Sequence, residues 1–185
     1  SGGKDSTATA LLAIETGLPC RFLFADTGHE HAATYEYLDY LRDRLGIEIE
    51  TVRADFTREI ERKREIVRTK WVSEGAVTPD QAEEICELLV PTGIPFLDLC
   101  LWKGRFPSTR ARFCSSELKH LPLDLRMMEI VGGREGVESW QGVRADESPS
   151  RAKLPEREPS EHGVTIVRPI LRWTGTAPRP GGSPR

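Results

Sequence analysis

Long apolar runs are missing from this chain of 185 residues. None could span a bilayer, and no secretory leader is visible. Closely spaced cysteines are missing as well. Cys20, Cys86, Cys100 and Cys114 stand far apart and form no C-x-x-C. That argues against a zinc ribbon or a thioredoxin-type pair. A strong charge excess is also absent. With 26 basic and 29 acidic residues the net charge is −3, so no global field recruits nucleic acid. Reduced thiols in a cytoplasm are the expectation for such a chain. What remains, 38% hydrophobic and 30% charged residues, suits a globular protein with one sizeable core.

The first residues are the most informative. Ser1-Gly2-Gly3-Lys4-Asp5-Ser6 precedes Thr7-Ala8-Thr9-Ala10-Leu11-Leu12-Ala13-Ile14, which reads as a helix. The paired glycines let backbone N–H groups approach an oxyanion. Asp5 and Ser6 are helix-starting residue types. A Gly-rich turn feeding a helix N-terminus is a phosphate cradle, since unpaired N–H groups and the positive end of the helix dipole meet there. Lys4 adds a mobile charge. The string fits neither the G-x-x-x-x-G-K-[ST] loop nor G-x-G-x-x-G.

Beyond Gly17-Leu18-Pro19, a breaker, Cys20 to Ala25 reads as a buried parallel strand ending at Asp26-Thr27-Gly28-His29-Glu30. Tyr35 to Leu45 carries Leu38, Leu41 and Leu45 at helical spacing and stops at Gly46. Ile47 to Val52 alternates like a strand. Helix–strand–helix–strand is the pattern of a doubly wound α/β sheet, whose ligands bind beyond the carboxyl ends of the strands. From Thr57 to Leu125 the expectation is mainly helical. Thr78-Pro79-Asp80-Gln81 reads as a capping box opening a helix with Ala82, Ile85 and Leu89 on one face. Val137 to Val143 and Val164 to Leu171 read as later strands. In the stretch Lys103 to Arg126, six cations face two acids, a local balance of +4 in an acidic chain. It is either a solvated basic face or an anion site. His29 and His31 bracket Glu30, a spacing too poor to predict a metal site.

Ordered blocks then carry a resemblance. Ser1 to Ser6 resembles the loop of the PP-loop proteins, the adenine-nucleotide α-hydrolase-like group. Ala25-Asp26-Thr27-Gly28-His29-Glu30 with Thr34-Tyr35-Glu36-Tyr37 forms the second block, and Arg112-Phe113-Cys114-Ser115-Ser116-Glu117-Leu118-Lys119 to Leu123 the third. Trp140-Gln141-Gly142-Val143-Arg144 to Ala152, closed by Arg168 to Trp173, forms the fourth. The set resembles the phosphoadenosine-phosphosulfate (PAPS) reductase family, including members from prophages and DNA phosphorothioation systems. That resemblance implies a doubly wound PP-loop fold over residues 1–174. It also implies phosphates held by Ser1, Gly2, Gly3, Lys4, Asp5 and Ser6, and a nucleoside side formed by Asp26, Thr27 and Gly28. Lys119, Arg144 and Arg151 would meet the distal sulfate or phosphate. The ligand would be PAPS, adenosine phosphosulfate (APS) or ATP, the last with magnesium.

The sequence departs from the family in its thiols. The reductases' Glu-Cys-Gly nucleophile has no counterpart here, and the Cys-Cys pair of the iron–sulfur branch is Cys114-Ser115. An iron–sulfur cluster is therefore not expected. Cys114 is the remaining candidate for a catalytic thiol, or else a packed core residue. Three functional readings follow. The protein acts on an adenylylated sulfate with a thioredoxin-like reductant, or adenylylates a substrate from ATP, or serves as a nucleotide-binding subunit of a DNA-modification or defence assembly. Because such a loop normally follows a buried strand, the chain reads as a fragment lacking its first strand. Residues 175–185, rich in proline, glycine and arginine, read as a disordered tail.

Overall fold

The computed structural model describes residues 2–160 and 163–174. Ser1 and the 175–185 segment lie outside the described residues, so the expectations placed on them do too.

Helix α1, Lys4–Glu15, is capped by Gly3 rather than by Asp5 or Ser6, which lie inside its first turn. The cap has extended backbone and no side-chain oxygen to offer. Strand β1, Phe22–Ala25, pairs in parallel with β2, Ile49–Val52. Between them runs α2, Ala32–Leu45, which buries Leu38 and Leu41 and ends at Gly46. This is a βαβ unit, with Phe24, Leu38, Leu41 and Ile49 as its core. Both strands are shorter than the sequence suggests. Cys20 and Arg21 before β1, and Ile47 and Glu48 before β2, lie outside the ladder.

Four further helices build a second core. They are α3 (Thr57–Ile66), α4 (Pro79–Leu88), α5 (Pro95–Lys103) and the short α6 (Phe113–Ser115). The capping box at Thr78 is present, with Thr78 Oγ1 accepting from the Gln81 N–H and Gln81 Oε1 accepting from the Thr78 N–H. Ala82 and Leu89 are buried as their spacing predicts, with Cys86 beside them. Ile60, Val67, Cys86 and Leu99 have no exposed surface in this core, and Leu118 almost none. α6 continues through a π-turn, Ser116–His120, into α7, Leu121–Val131.

A second sheet closes the fold. β3 (Glu138–Trp140) pairs in parallel with β5 (Thr165–Val167), and β5 pairs antiparallel with β4 (Arg157–Pro159). β4 was not legible in the sequence. It is an edge strand, which tolerates the missing N–H of Pro159. The described strands thus lie in two sheets with parallel pairing in each. This is an α/β arrangement. No described helix is long and apolar enough to cross a membrane.

Candidate active site

Two clusters of polar side chains form at the carboxyl ends of β3 and β1. The first gathers on the N-terminus of α1. After β3 the chain turns at Gly142, and it passes so close to α1 that a Cβ there would lie 2.9 Å from the Asp5 carbonyl carbon and oxygen and 3.0 Å from the Ser6 nitrogen. Only a hydrogen fits in that space. Two residues on, Arg144 is 8% exposed. Its Nε lies 2.9 Å from Asp5 Oδ1, and its Nη1 donates to Asp146 Oδ2 at 2.8 Å. The Nε contact is an ion contact without hydrogen-bond alignment, so this buried N–H has no hydrogen-bond partner. Contact with Asp5 raises the Arg144 pKa against the opposing effect of burial, with help from Asp146 and Glu147. The guanidinium is a fixed cation at the positive end of the α1 dipole.

Glu147 ties the second arginine to the first. It accepts from the Arg144 backbone N–H at 3.4 Å and forms an ion pair with Arg151 Nη1. Arg144 and Arg151, singled out in the sequence, therefore belong to one folded loop. Lys4 is exposed on the same helix end, and Gly2 packs on Thr34 and Leu38 of α2. Asp5 does not face an open cradle, because its carboxylate is turned to Arg144.

The second cluster follows β1. Asp26 is buried and accepts three bonds: from the Gly28 N–H at 2.8 Å, the Tyr35 hydroxyl at 2.7 Å and Arg53 Nε at 2.9 Å. Burial alone would push its pKa up. The bonds from Tyr35 and Gly28 and the charge of Arg53 outweigh it, and the carboxyl is held below its usual value. The Tyr35 hydroxyl is correspondingly raised, first by its bond to Asp26. Thr27 Oγ1 donates to Glu30 Oε1 at 3.0 Å, and its carbonyl accepts the Phe96 N–H at 2.9 Å. Gly28 has φ +69°, and a Cβ there would lie 2.9 Å from Pro95 Cδ. Lys119 reaches this loop from the π-turn, 3.5 Å from Glu30. The sequence pointed to Lys119 but not to its partner.

The histidines of the loop take separate roles. His31 Nδ1 accepts the Ala33 N–H and caps α2, while His29 stacks on Phe96 at 4.7 Å between centroids. No group of three or more His, Cys, Asp or Glu side chains able to hold a metal occurs among the described residues. Cys114 is half-buried and packs on the core around Ile60 and Leu118. Cys100, buried nearby, has its thiol pushed up by burial and then by Cys114. Cys20 is the exposed thiol, at the amino end of β1 and away from both clusters.

Tyr35 and Gly142 stand in the blocks that carry the family resemblance but were given no role there, and Arg53 lies outside those blocks. A signal existed for Gly142, since a glycine closing a strand pattern marks a close backbone approach. No signal paired Arg53 or Tyr35 with Asp26. They meet Asp26 only because β2 lies beside β1 and α2 crosses between them.

Both clusters lie within the span matched by a family model. A family model described as "Phosphoadenosine phosphosulfate reductase domain" matches residues 1–177. The chain is 53% identical over 186 residues to "Uncharacterized 37.8 kDa protein in gpa 5'region" of Escherichia phage 186, with 94% of this chain and 55% of that protein covered. It is 27% identical over 156 residues to "Uncharacterized nin region protein ORF290" of Escherichia phage lambda, with 83% and 49% covered. The chain therefore spans about half the length of these curated relatives. By a match that runs through both clusters and nearly its whole described length, the chain belongs to the phosphoadenosine phosphosulfate reductase domain family.

Proposed function

We propose that this protein binds an adenylylated sulfate, PAPS or APS, with its phosphates on the N-terminus of α1 and its distal anion toward Arg144 and Arg151. Binding of adenine nucleotides is general to the family; the sulfated ligand is the finer reading. The observation that carries it is Arg144. A guanidinium almost withdrawn from water is held 2.9 Å from the first-turn residue Asp5. A cation is costly to bury for structure alone. Beside an N-terminus whose N–H groups receive no side-chain cap, it suits an oxyanion. The Asp26-Thr27-Gly28 loop, stiffened by Tyr35 and Arg53, supplies the nucleoside side. The same reading takes the two small sheets as parts of one doubly wound sheet, since both clusters lie at strand carboxyl ends.

Calorimetry of the full-length protein with PAPS, APS and ATP tests the proposal. Arg144→Ala and Arg151→Ala should each weaken binding of the sulfated nucleotide by about tenfold or more, as expected for one charge-assisted contact, and weaken AMP less. Equal losses for both ligands would show that neither arginine reads the distal anion. Tighter binding of ATP than of either sulfated nucleotide would favour the adenylylating reading.

A further inference from the structure

We propose that the 104–112 loop between α5 and α6 is a docking surface for single-stranded nucleic acid, bordering the Asp26–Glu30 loop through Phe96. The stretch from Asp98 to Glu117 contains Lys103, Arg105, Arg110 and Arg112 and no acid between those two ends. The fold divides the cations of the wider basic stretch into two sorts. Lys103 pairs with Glu117 at 2.8 Å, Lys119 with Glu30, and Arg126 with Glu50 and Glu129. Arg105, Arg110 and Arg112 are exposed, and none of the three has an ion pair among the described residues. The unspent positive charge is thereby concentrated in one loop.

Aromatic rings stand beside it. Phe106 is 69% exposed. Its ring lies 6.3 Å from that of Phe96, on which His29 stacks with an interplanar angle of 11°. Arg105 in turn lies over Phe113, 5.6 Å from the ring centroid. One exposed ring, Phe106, backed by the half-buried Phe96 and Phe113 and set among arginines without ion pairs, matches a strand that stacks a base on the ring while its phosphates take the guanidinium forks. Duplex nucleic acid keeps its base faces covered, so rings gain nothing from it.

Fluorescence anisotropy of the full-length protein with labelled oligothymidylate, oligouridylate and a hairpin duplex, over a salt series, tests this. Single strands should bind more tightly than the hairpin, with affinity falling steeply as salt rises. Preference for the deoxy or the ribo strand would distinguish DNA from RNA as the source. Phe106→Ala should weaken strand binding by about tenfold. The Arg105→Ala/Arg110→Ala variant should flatten the salt slope by about 1.4, two phosphate contacts' worth. Both variants should keep the parent's thermal midpoint and its calorimetric affinity for PAPS, APS or ATP. The proposal is overturned by absence of strand binding at low salt, by a preference for the hairpin, or by Phe106→Ala binding like the parent. Polyglutamate competing as well as oligothymidylate would also overturn it, in favour of an acidic protein partner. Loss of nucleotide binding with strand binding intact would count only against the crevice reading.

Discussion

Arg144 and Arg110 are the same residue type in opposite circumstances. Arg144 is 8% exposed and held between Asp5 and Asp146, while Arg110 is exposed on a loop. Around Arg144, poor screening strengthens each charge contact and makes an unmet charge costly. On the loop, water and salt screen the charge, and holding it there costs the fold little. One arginine is oriented by the fold, and the other is held by no ion pair among the described residues. Charge counting along the sequence treats them alike.

The largest expected effect is on the buried side of this contrast. Arg144→Ala leaves the Asp5 carboxylate without its partner at the helix end. Because the pair is partly solvated, its loss should destabilise by about 2–3 kcal/mol, below the 3–5 of a fully buried pair. Urea unfolding would measure it. A loss no greater than that of Arg110→Ala would erase the distinction.

Gly142→Ala comes next. The new Cβ meets backbone atoms of Asp5 and Ser6, which cannot rotate away as a side-chain tip would. A cost of about 1–3 kcal/mol is expected, together with weaker nucleotide binding as the loop lifts from α1. A variant that is stable and binds normally would show that this close approach does not position Arg144.

Asp26→Asn should cost about 1.5 kcal/mol at neutral pH, since three donors are aimed at a carboxylate and Arg53 is partly screened. The folded carboxyl titrates below its ordinary value of 3.8. Its stabilisation is therefore complete above that ordinary value and is lost as pH falls through the folded one. Unfolding curves of parent and variant should converge in acid. A gap that stays constant to low pH would mean that the carboxylate charge is not what the donors stabilise.

The smallest effect belongs to the exposed side. Arg110→Ala should change stability by no more than about 0.5 kcal/mol while altering the salt dependence of anything bound at the loop. A larger change in the urea midpoint would mean that Arg110 supports the fold.

Elements with strong local signals were legible. The Leu38, Leu41 and Leu45 spacing marked α2, Thr78 and Gln81 marked the start of α4, and the apolar run ending at Ala25 marked β1. The cap of α1 was misplaced by two residues or more, because Asp5 looks like a cap when read locally but spends its carboxylate on Arg144, far along the chain. β4 escaped notice because Arg157-Glu158-Pro159 has no strand composition. It is held by its pairing with β5 and by buried Arg168, which reaches Glu158 and the Pro155 carbonyl. Arg168 closed the fourth block of the family resemblance, and its contacts here are structural.

The sequence by itself determined the strongly patterned helices and the βαβ unit, because periodicity, capping and glycine placement act over a few residues, and its ordered blocks determined the family. Only the tertiary structure decided which charges are spent. Asp5 and Arg144 are 2.9 Å apart across most of the chain, and Asp26 and Arg53 meet across a βαβ crossover. Lys119 finds Glu30, whereas Arg105 and Arg110 find no acid among the described residues. A pairing of that kind is fixed by which elements pack together, and no local pattern in the sequence records it.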